Sequence, residues 1–308
     1  MARQSELGAF LQVQRARLRP RDVGLAPGAV RRRVPGLRRE EVARLAGIST
    51  DYYTRLEQGR KDGASESVLN AVARALRLDD TSRQHLLDLT RAASARPSSG
   101  TEKAQRVRWN TKQLIELWTG QPAMITGRRL DVLATNALAR ALIFDFNALP
   151  AAERNYIRWI LLHPHARELF RDWEFVASRM VAVLRMDAGR HPNDQGIRDL
   201  VGELSVKSKE FPGWWADQRV QAHTHGTKRL RHQLIGDLEI EWQGLALAGD
   251  EDQVIYVYFA APGSPAAEKL ALLASWNAPA PSIARARVPG AFHDQALCSP
   301  PHTTGLGG

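Results

Sequence analysis

A single cysteine, Cys298, is all the thiol chemistry this 308-residue chain contains. One thiol excludes an internal disulfide framework and a cysteine zinc site. It also fits a reducing compartment, so the cytoplasm is the expected location. Long apolar runs are missing too. Nothing approaches the roughly 20 residues needed to cross a bilayer, and the opening MARQSELGAFLQVQRARLRP has no secretion-signal core. Neither a glycine-rich phosphate loop nor a G-x-S-x-G elbow occurs. The serine of APGSPA is flanked by prolines and suits a helix cap. These absences remove the usual marks of an enzyme, and no catalytic residue, cofactor or membrane partner is expected.

Positive charge is what the chain has in excess. It carries 43 Lys and Arg against 33 Asp and Glu, and residues 1–100 hold 19 against 11 of these, so most of the imbalance lies in the first third. An anionic partner is therefore expected to meet the N-terminal part. Arg31, Arg32 and Arg33 concentrate that charge in a Pro- and Gly-rich loop, within reach of phosphates or a minor groove.

The most informative stretch is LRREEVARLAGISTDYYTRLEQGRK, residues 37–61. Val42, Ala43, Leu45 and Ala46 recur at helical spacing over Arg39 to Ala46. Gly47 can end that helix in the left-handed conformation, and Ser49 can cap the next. The second helix presents Tyr53 and Leu56 inward and Thr50, Asp51, Tyr52, Thr54 and Arg55 outward. Helices at about Leu7–Leu18, from Glu66 to about Arg77, and after the Asp79-Asp80-Thr81 cap complete five helices around the pair. The segment REEVARLAGISTDYYTRLEQGR, followed by VLNAVARALRL, resembles the Xre-type helix-turn-helix family of bacterial repressors. That resemblance implies a five-helix, lambda-repressor-like domain whose second helix enters the major groove of a double-stranded operator, bound as a homodimer. Ser49, Thr50, Asp51, Tyr52, Thr54 and Arg55 are then the candidate duplex contacts, with Arg55 suited to a bidentate guanine contact or to an ion pair with Asp51. Arg39, Arg60 and Lys61 stand at helix ends where phosphate contacts lie. Glu57 suits a structural ion pair with a nearby basic group.

Residues 91–105, RAASARPSSGTEKAQ, have linker composition, with the linker itself put at 95–103 between an N-terminal domain of residues 1–94 and a second domain of residues 104–277. The second domain opens with a helix over Val107–Trp118, then a strand over Ala123–Thr126, a Gly127-Arg128 turn, a strand over Leu130–Thr135 and a helix capped by Asn136. Helical patterns follow over Ala151–Arg171, Trp173–Met186 and Asn193–Lys209. Residues 219–235, 237–247 and 253–260 alternate as a β-meander, and SPAAEKLALLASW closes as a helix. The Pro-, Gly- and Ala-rich tail, 278–308, is expected to be disordered. His223-Thr224-His225 with His232 has a two-residue spacing that would put two imidazoles on one strand face. Lys228, Arg229 and Arg231 beside them oppose a cation, so no metal is expected.

RRLDVLATNALARAL, RELFRDW, WWADQRV, GTKRLRHQLIGDLEIEWQGLAL and APGSPAAEKLALLASW occur in the order seen in MmyB-like regulators, which the chain resembles from about residue 3 to 276. It departs from their pattern at Gln218, Gln233 and Ala64. The resemblance implies a multidomain protein: an all-α helix-turn-helix domain followed by an α+β PAS-like domain with an antiparallel sheet. It implies a DNA-binding transcription regulator in the cytoplasm, associated with the nucleoid, responsive to a small apolar, fatty-acid-like ligand. The alternative is a second domain that only dimerises or contacts proteins. Trp109, Trp118, Trp159, Trp173, Trp214, Trp215 and Trp242 are many for one domain, and packing is the expected role of each.

Overall fold

Ser5 starts the first helix, its hydroxyl accepting the Gly8 N–H at 3.1 Å. The computed structural model describes residues 5–25, 36–59, 64–94 and 105–277, all of them within one unit. The N-terminal part holds α1 (Glu6–Arg17), α2 (Arg39–Ala46), α3 (Thr50–Glu57), α4 (Glu66–Ala75) and α5 (Asp80–Ser94). The anticipated start and stop signals operate. Gly47 takes φ 68° at the end of α2, Ser49 accepts the Tyr52 N–H at 3.1 Å, and Asp79 accepts the Ser82 N–H at 2.7 Å. Phe10, Leu11, Val42, Tyr53, Leu56, Val72 and Leu86 have no exposed surface and form the core. Leu45 departs from expectation and is 37% exposed. It lies about 100° round the helix from the face that Val42, Ala43 and Ala46 bury.

Glu57 ties three of these helices. Its buried carboxylate accepts from Arg15 of α1, with both contacts at 3.1 Å, and from Arg39 of α2 at 3.1 and 3.2 Å. Close approach of α1 to α3 is enforced by Gly8, where a Cβ would stand 2.2 Å from the Glu57 carbonyl oxygen.

The second part continues with α6 (Trp109–Glu116), β1 (Ala123–Thr126), β2 (Val132–Thr135), α7 (Ala137–Leu142), α8 (Tyr156–Leu162), α9 (Pro164–Leu169), α10 (Trp173–Arg190), α11 (Gln195–Lys207) and α12 (Phe211–Ala216). It ends with β3 (His225–His232), β4 (Gly236–Leu247), β5 (Asp250–Phe259) and α13 (Pro265–Trp276). The five strands form one antiparallel sheet in the order β2-β1-β5-β4-β3, which leaves β3 at an edge. Residues of α7–α13 pack with one face of the sheet in the large core, while Ile115 of α6 joins Ala123, Ile125, Ala134 and Ile255 in a smaller one.

Several elements differ from the sequence expectation. Strand β2 begins at Val132, not Leu130, because Arg129 and Leu130 adopt positive φ of 60° and 62°. Side chains hold this turn: the Arg129 N–H donates to Asp187 at 3.0 Å, and its guanidinium bonds Asp131 and Asp194. The break in the 151–171 pattern, by contrast, falls at His163-Pro164-His165 as that sequence leads one to expect, because Pro164 has no N–H to continue α8. Strand β3 begins at His225 rather than 219, α12 was not anticipated, and α10 runs one turn past Met186 to Arg190.

Asn136 joins the sheet to its flanking helices. Its carbonyl accepts from the N–H groups of Ala139 and Ala123, and its amide donates to the carbonyls of Ile115, Trp118 and Gln121. Replacing it strands several buried backbone groups at once. Asn136→Ala is expected to lower stability by about 2–4 kcal/mol, seen as an earlier urea midpoint; a shift within experimental error would show these bonds to be dispensable.

Candidate functional site

Helix α3 presents the side chains that the helix-turn-helix layout assigns to the duplex. Ser49, Thr50, Asp51 and Arg55 are exposed, and Tyr52 and Thr54 are half-buried beside them. Tyr53 and Leu56 point into the core and fix the rotation of the helix. Local bonds already engage part of this surface. Arg55 pairs with Asp51 at 2.9 Å, and the Thr54 hydroxyl donates to the Thr50 carbonyl at 2.7 Å. Both Arg55 and Asp51 keep more than half of their side-chain surface exposed, so an exposed pair of this kind is weakly held. Arg39 stands apart from the other candidates, since its guanidinium is committed to Glu57 while remaining 45% exposed. Arg60 and Lys61, and the Arg31, Arg32 and Arg33 run, lie outside the described residues.

The inner face of the second part's sheet contains an unexpected cation. Lys228 sits between Leu230 and the half-buried Gly226 on the inward-facing register of β3, only 5% exposed. Its Nζ donates to the hydroxyls of Tyr156 at 3.1 Å and Tyr258 at 3.4 Å. The rings of Tyr156, Phe170, Trp242 and Tyr258 surround it, with centroids between 5.1 and 5.7 Å away. Among the described residues no carboxylate pairs with it. Burial without an anion pushes its ammonium down to about 7. The alternation Lys228-Leu230-His232 was the signal available in the sequence: a period of two places the lysine on the same face as a core leucine.

The histidine trio does not form a ligand set. His223 precedes β3 and stacks on Trp242 with ring centroids 3.8 Å apart, and burial holds its imidazole well below the usual range. His225 is exposed and contacts Thr224, and His232 bonds the Ala141 carbonyl at 2.9 Å. Of the seven tryptophans, Trp159, Trp173 and Trp242 are core, Trp214 and Trp215 pack against it, Trp118 lies by the smaller core, and Trp109 is 79% exposed.

Two family models match the chain. One, for a helix-turn-helix domain, covers residues 6–86. The other, for an MmyB-like transcription regulator ligand binding domain, covers residues 107–273, more than half of the sequence. The chain belongs to the MmyB-like transcription regulators. No curated protein matches it. As a member of this family it is a DNA-binding transcription regulator, with a helix-turn-helix part and an α+β ligand-binding part. No helix among the described residues is long and apolar enough to cross a membrane.

In this MmyB-like regulator the two parts touch through α5 and the last turns of α10. His85 of α5 lies against Gly189, where a Cβ would come within 2.5 Å of the ring, and its other side meets Phe10 edge-on at 5.1 Å. Burial pushes the His85 imidazole down to about 3, so the contact is built around a neutral ring. Arg185 is buried beside it. It pairs with Glu6 of α1 at 3.1 Å, donates to Gln218 at 2.8 Å and to the Trp215 carbonyl, and stacks on the Trp215 ring. Arg17 pairs with Asp217, and Arg190 with Asp88. Sequence reasoning named none of these as functional, because the contacts join positions up to 200 residues apart.

Lys228 and Gly189 each give a test. An unfolded lysine titrates near its ordinary 10.5 and a folded Lys228 near 7, so between these values the unfolded chain holds the extra proton and stability rises with pH. Lys228→Met should remove that rise, about 1 kcal/mol per pH unit over pH 7 to 9, in urea titrations of the two proteins. Parallel curves would contradict the burial of a titrating amine. Gly189→Ala should loosen the contact with α5 by about 1–3 kcal/mol of overpacking. Hydrogen exchange would then speed up in α5 while the strands keep their protection.

Proposed function

We propose that this regulator binds an operator as a homodimer on a two-fold site, through residues 1–94, and that residues 104–277 bind a small apolar, fatty-acid-like molecule that alters operator affinity. The linker of this arrangement, residues 95–103, and the tail, residues 278–308, lie outside the described residues. In this proposal Ser49, Thr50, Asp51, Tyr52, Thr54 and Arg55 meet the major groove. Arg39, Arg60 and Lys61 meet phosphates, Arg39 doing so with the part of its side chain that Glu57 leaves exposed. The observation that carries the reading is the outward row on α3, held by the buried Tyr53 and Leu56. The compartment that suits it is the cytoplasm, on the nucleoid.

A ligand changes operator affinity only by binding one arrangement of the two parts better than the other. Contacts from α10 to α5 and α1 are the material on which such a difference acts. A second reading, in which residues 104–277 work through protein contacts alone, draws on the exposed Trp109 and Leu117 at 79% and 74%. Native mass spectrometry of the purified protein separates the two. A small added mass that denaturation removes supports the first, and a dimer without added mass supports the second.

Selection of bound duplexes from a random pool should return a two-fold motif. Arg55→Ala should then relax preference at one base pair of each half-site by about 1–3 kcal/mol while leaving non-specific binding in place. Unchanged discrimination in that variant would remove Arg55 from base contact.

A further inference from the structure

We propose that a second copy of this chain covers the outer side of the second part, with α6 of each copy packed against the outer sheet face of the other. The inference rests on the homodimer reading above and adds the surface through which the two copies meet. It holds with or without a ligand. Two exposed apolar surfaces lead here, and they stand side by side on the face of the sheet away from the large core.

The first is the crest of α6. At about 100° per residue, Thr111 and Ile115 share the side of the helix that meets the sheet, and Ile115 is fully buried there. Trp109, Leu114 and Leu117 fall on the opposite side and are 79%, 45% and 74% exposed. Between them stand only Asn110 and Gln113, which are uncharged and exposed. A solvated helix face normally carries charge. Here Lys112 and Glu116 are set off to one edge, and the crest is left apolar.

The second is the strip of sheet beside that helix. Arg108, at the start of α6, donates to the Gly249 carbonyl at 3.1 Å and pairs with Asp250 at 3.0 Å, at the turn into β5. Beyond the helix the chain reaches the far end of β5, where the Pro122 carbonyl accepts the Tyr258 N–H at 2.9 Å. So α6 lies along β5, over the smaller core of Ala123, Ile125, Ala134 and Ile255. It leaves β4 uncovered. The outward residues Glu239, Glu241, Gln243 and Leu245 are all exposed. Leu245 stands opposite Ile255 in the register and Phe259 opposite Glu241, and these two apolar side chains are 44% and 37% exposed.

Shape, size and charge all fit a copy of the same chain. Each copy offers both a crest and a strip, so the crest of one meets the strip of the other, as a two-fold contact requires. The two helices then lie side by side between two outer sheet faces. At the ordinary areas of such side chains the five apolar residues leave on the order of 500 Å² bare per copy, so the contact removes on the order of 1,000 Å² from water, the size at which specific interfaces begin. Lys112 on the edge of the helix is exposed and basic, and Glu241 on the strip is exposed and acidic. Exchange of helices between copies brings these opposite charges to the same contact.

Sedimentation velocity on the full chain, free of DNA, is the test. Wild type is expected to be a dimer at micromolar concentration. Trp109→Ser combined with Leu117→Ser changes two exposed side chains, so far-UV circular dichroism should stay that of wild type. The dimer dissociation constant should rise by about 100-fold or more, because each substitution acts twice in a two-fold contact. Leu245→Lys should weaken the dimer from the strip side. Val206→Ser changes an exposed apolar residue of α11, on another surface, and should leave the dimer intact. A dimer that survives both the helix and the strip substitutions would overturn this face and leave the homodimer reading standing. Wild type that stays monomeric, both free and on a duplex carrying its selected motif, would overturn the two together.

Discussion

Helix α10 has to satisfy two surfaces at once, and the arrangement of the chain depends on that constraint. Its Ala177, Met180, Val181 and Leu184 complete the large core against the sheet. Its last turns turn Arg185, Gly189 and Arg190 towards the helix-turn-helix part. Closely packed interiors transmit displacement instead of absorbing it. Phe175 and Val176 stand near the start of α10, and the residues that touch α5 and α1 stand near its end, on one continuous helix. Gly189 lets the two parts approach closely, because the absence of a side chain is what lets His85 seat there.

The two parts handle buried charge in opposite ways. In the N-terminal part Glu57 is fully compensated by Arg15 and Arg39, and the result is a fixed joint among α1, α2 and α3. Removing one partner of such a joint leaves a charge stranded in the interior. In the second part Lys228 is buried with no carboxylate paired to it among the described residues, a condition that favours its neutral form. Glu57 is held by ion pairs, whereas the Lys228 amine is held by two phenol hydroxyls and the surrounding rings. Arg185 is intermediate: its cation is met by Glu6 from the other part, so its compensation exists only while the two parts remain in contact.

Packing also sets the form of the proposed recognition surface. Tyr53 and Leu56 are locked in the core, so the rotation of α3 is set by packing and not by its exposed face. In the proposed complex Thr50, Asp51 and Arg55 carry sequence preference while the core residues of α3 carry stability. The Asp51–Arg55 pair occupies the guanidinium in the free protein, and its exposure makes exchange for a stronger partner inexpensive.

Local chemistry determined much of this protein in advance. Gly47 and Ser49 set the boundaries of α2 and α3, Asn136 marked the start of α7, and alternation marked β4 and β5, because caps, left-handed turns and periodicity act over a few residues. The outward row on α3 and the structural role of Glu57 followed from the same spacing. Tertiary structure alone decided the rest. The extra turn of α10 is held by contact with α5, the left-handed Arg129 by Asp187, Asp131 and Asp194, and Leu45 was turned outward by the face its neighbours buried. The surroundings of Lys228 come from α8, from Phe170 just after α9 and from the strands, brought together only by folding. Such contacts join distant positions, and no local pattern encodes which of them will meet.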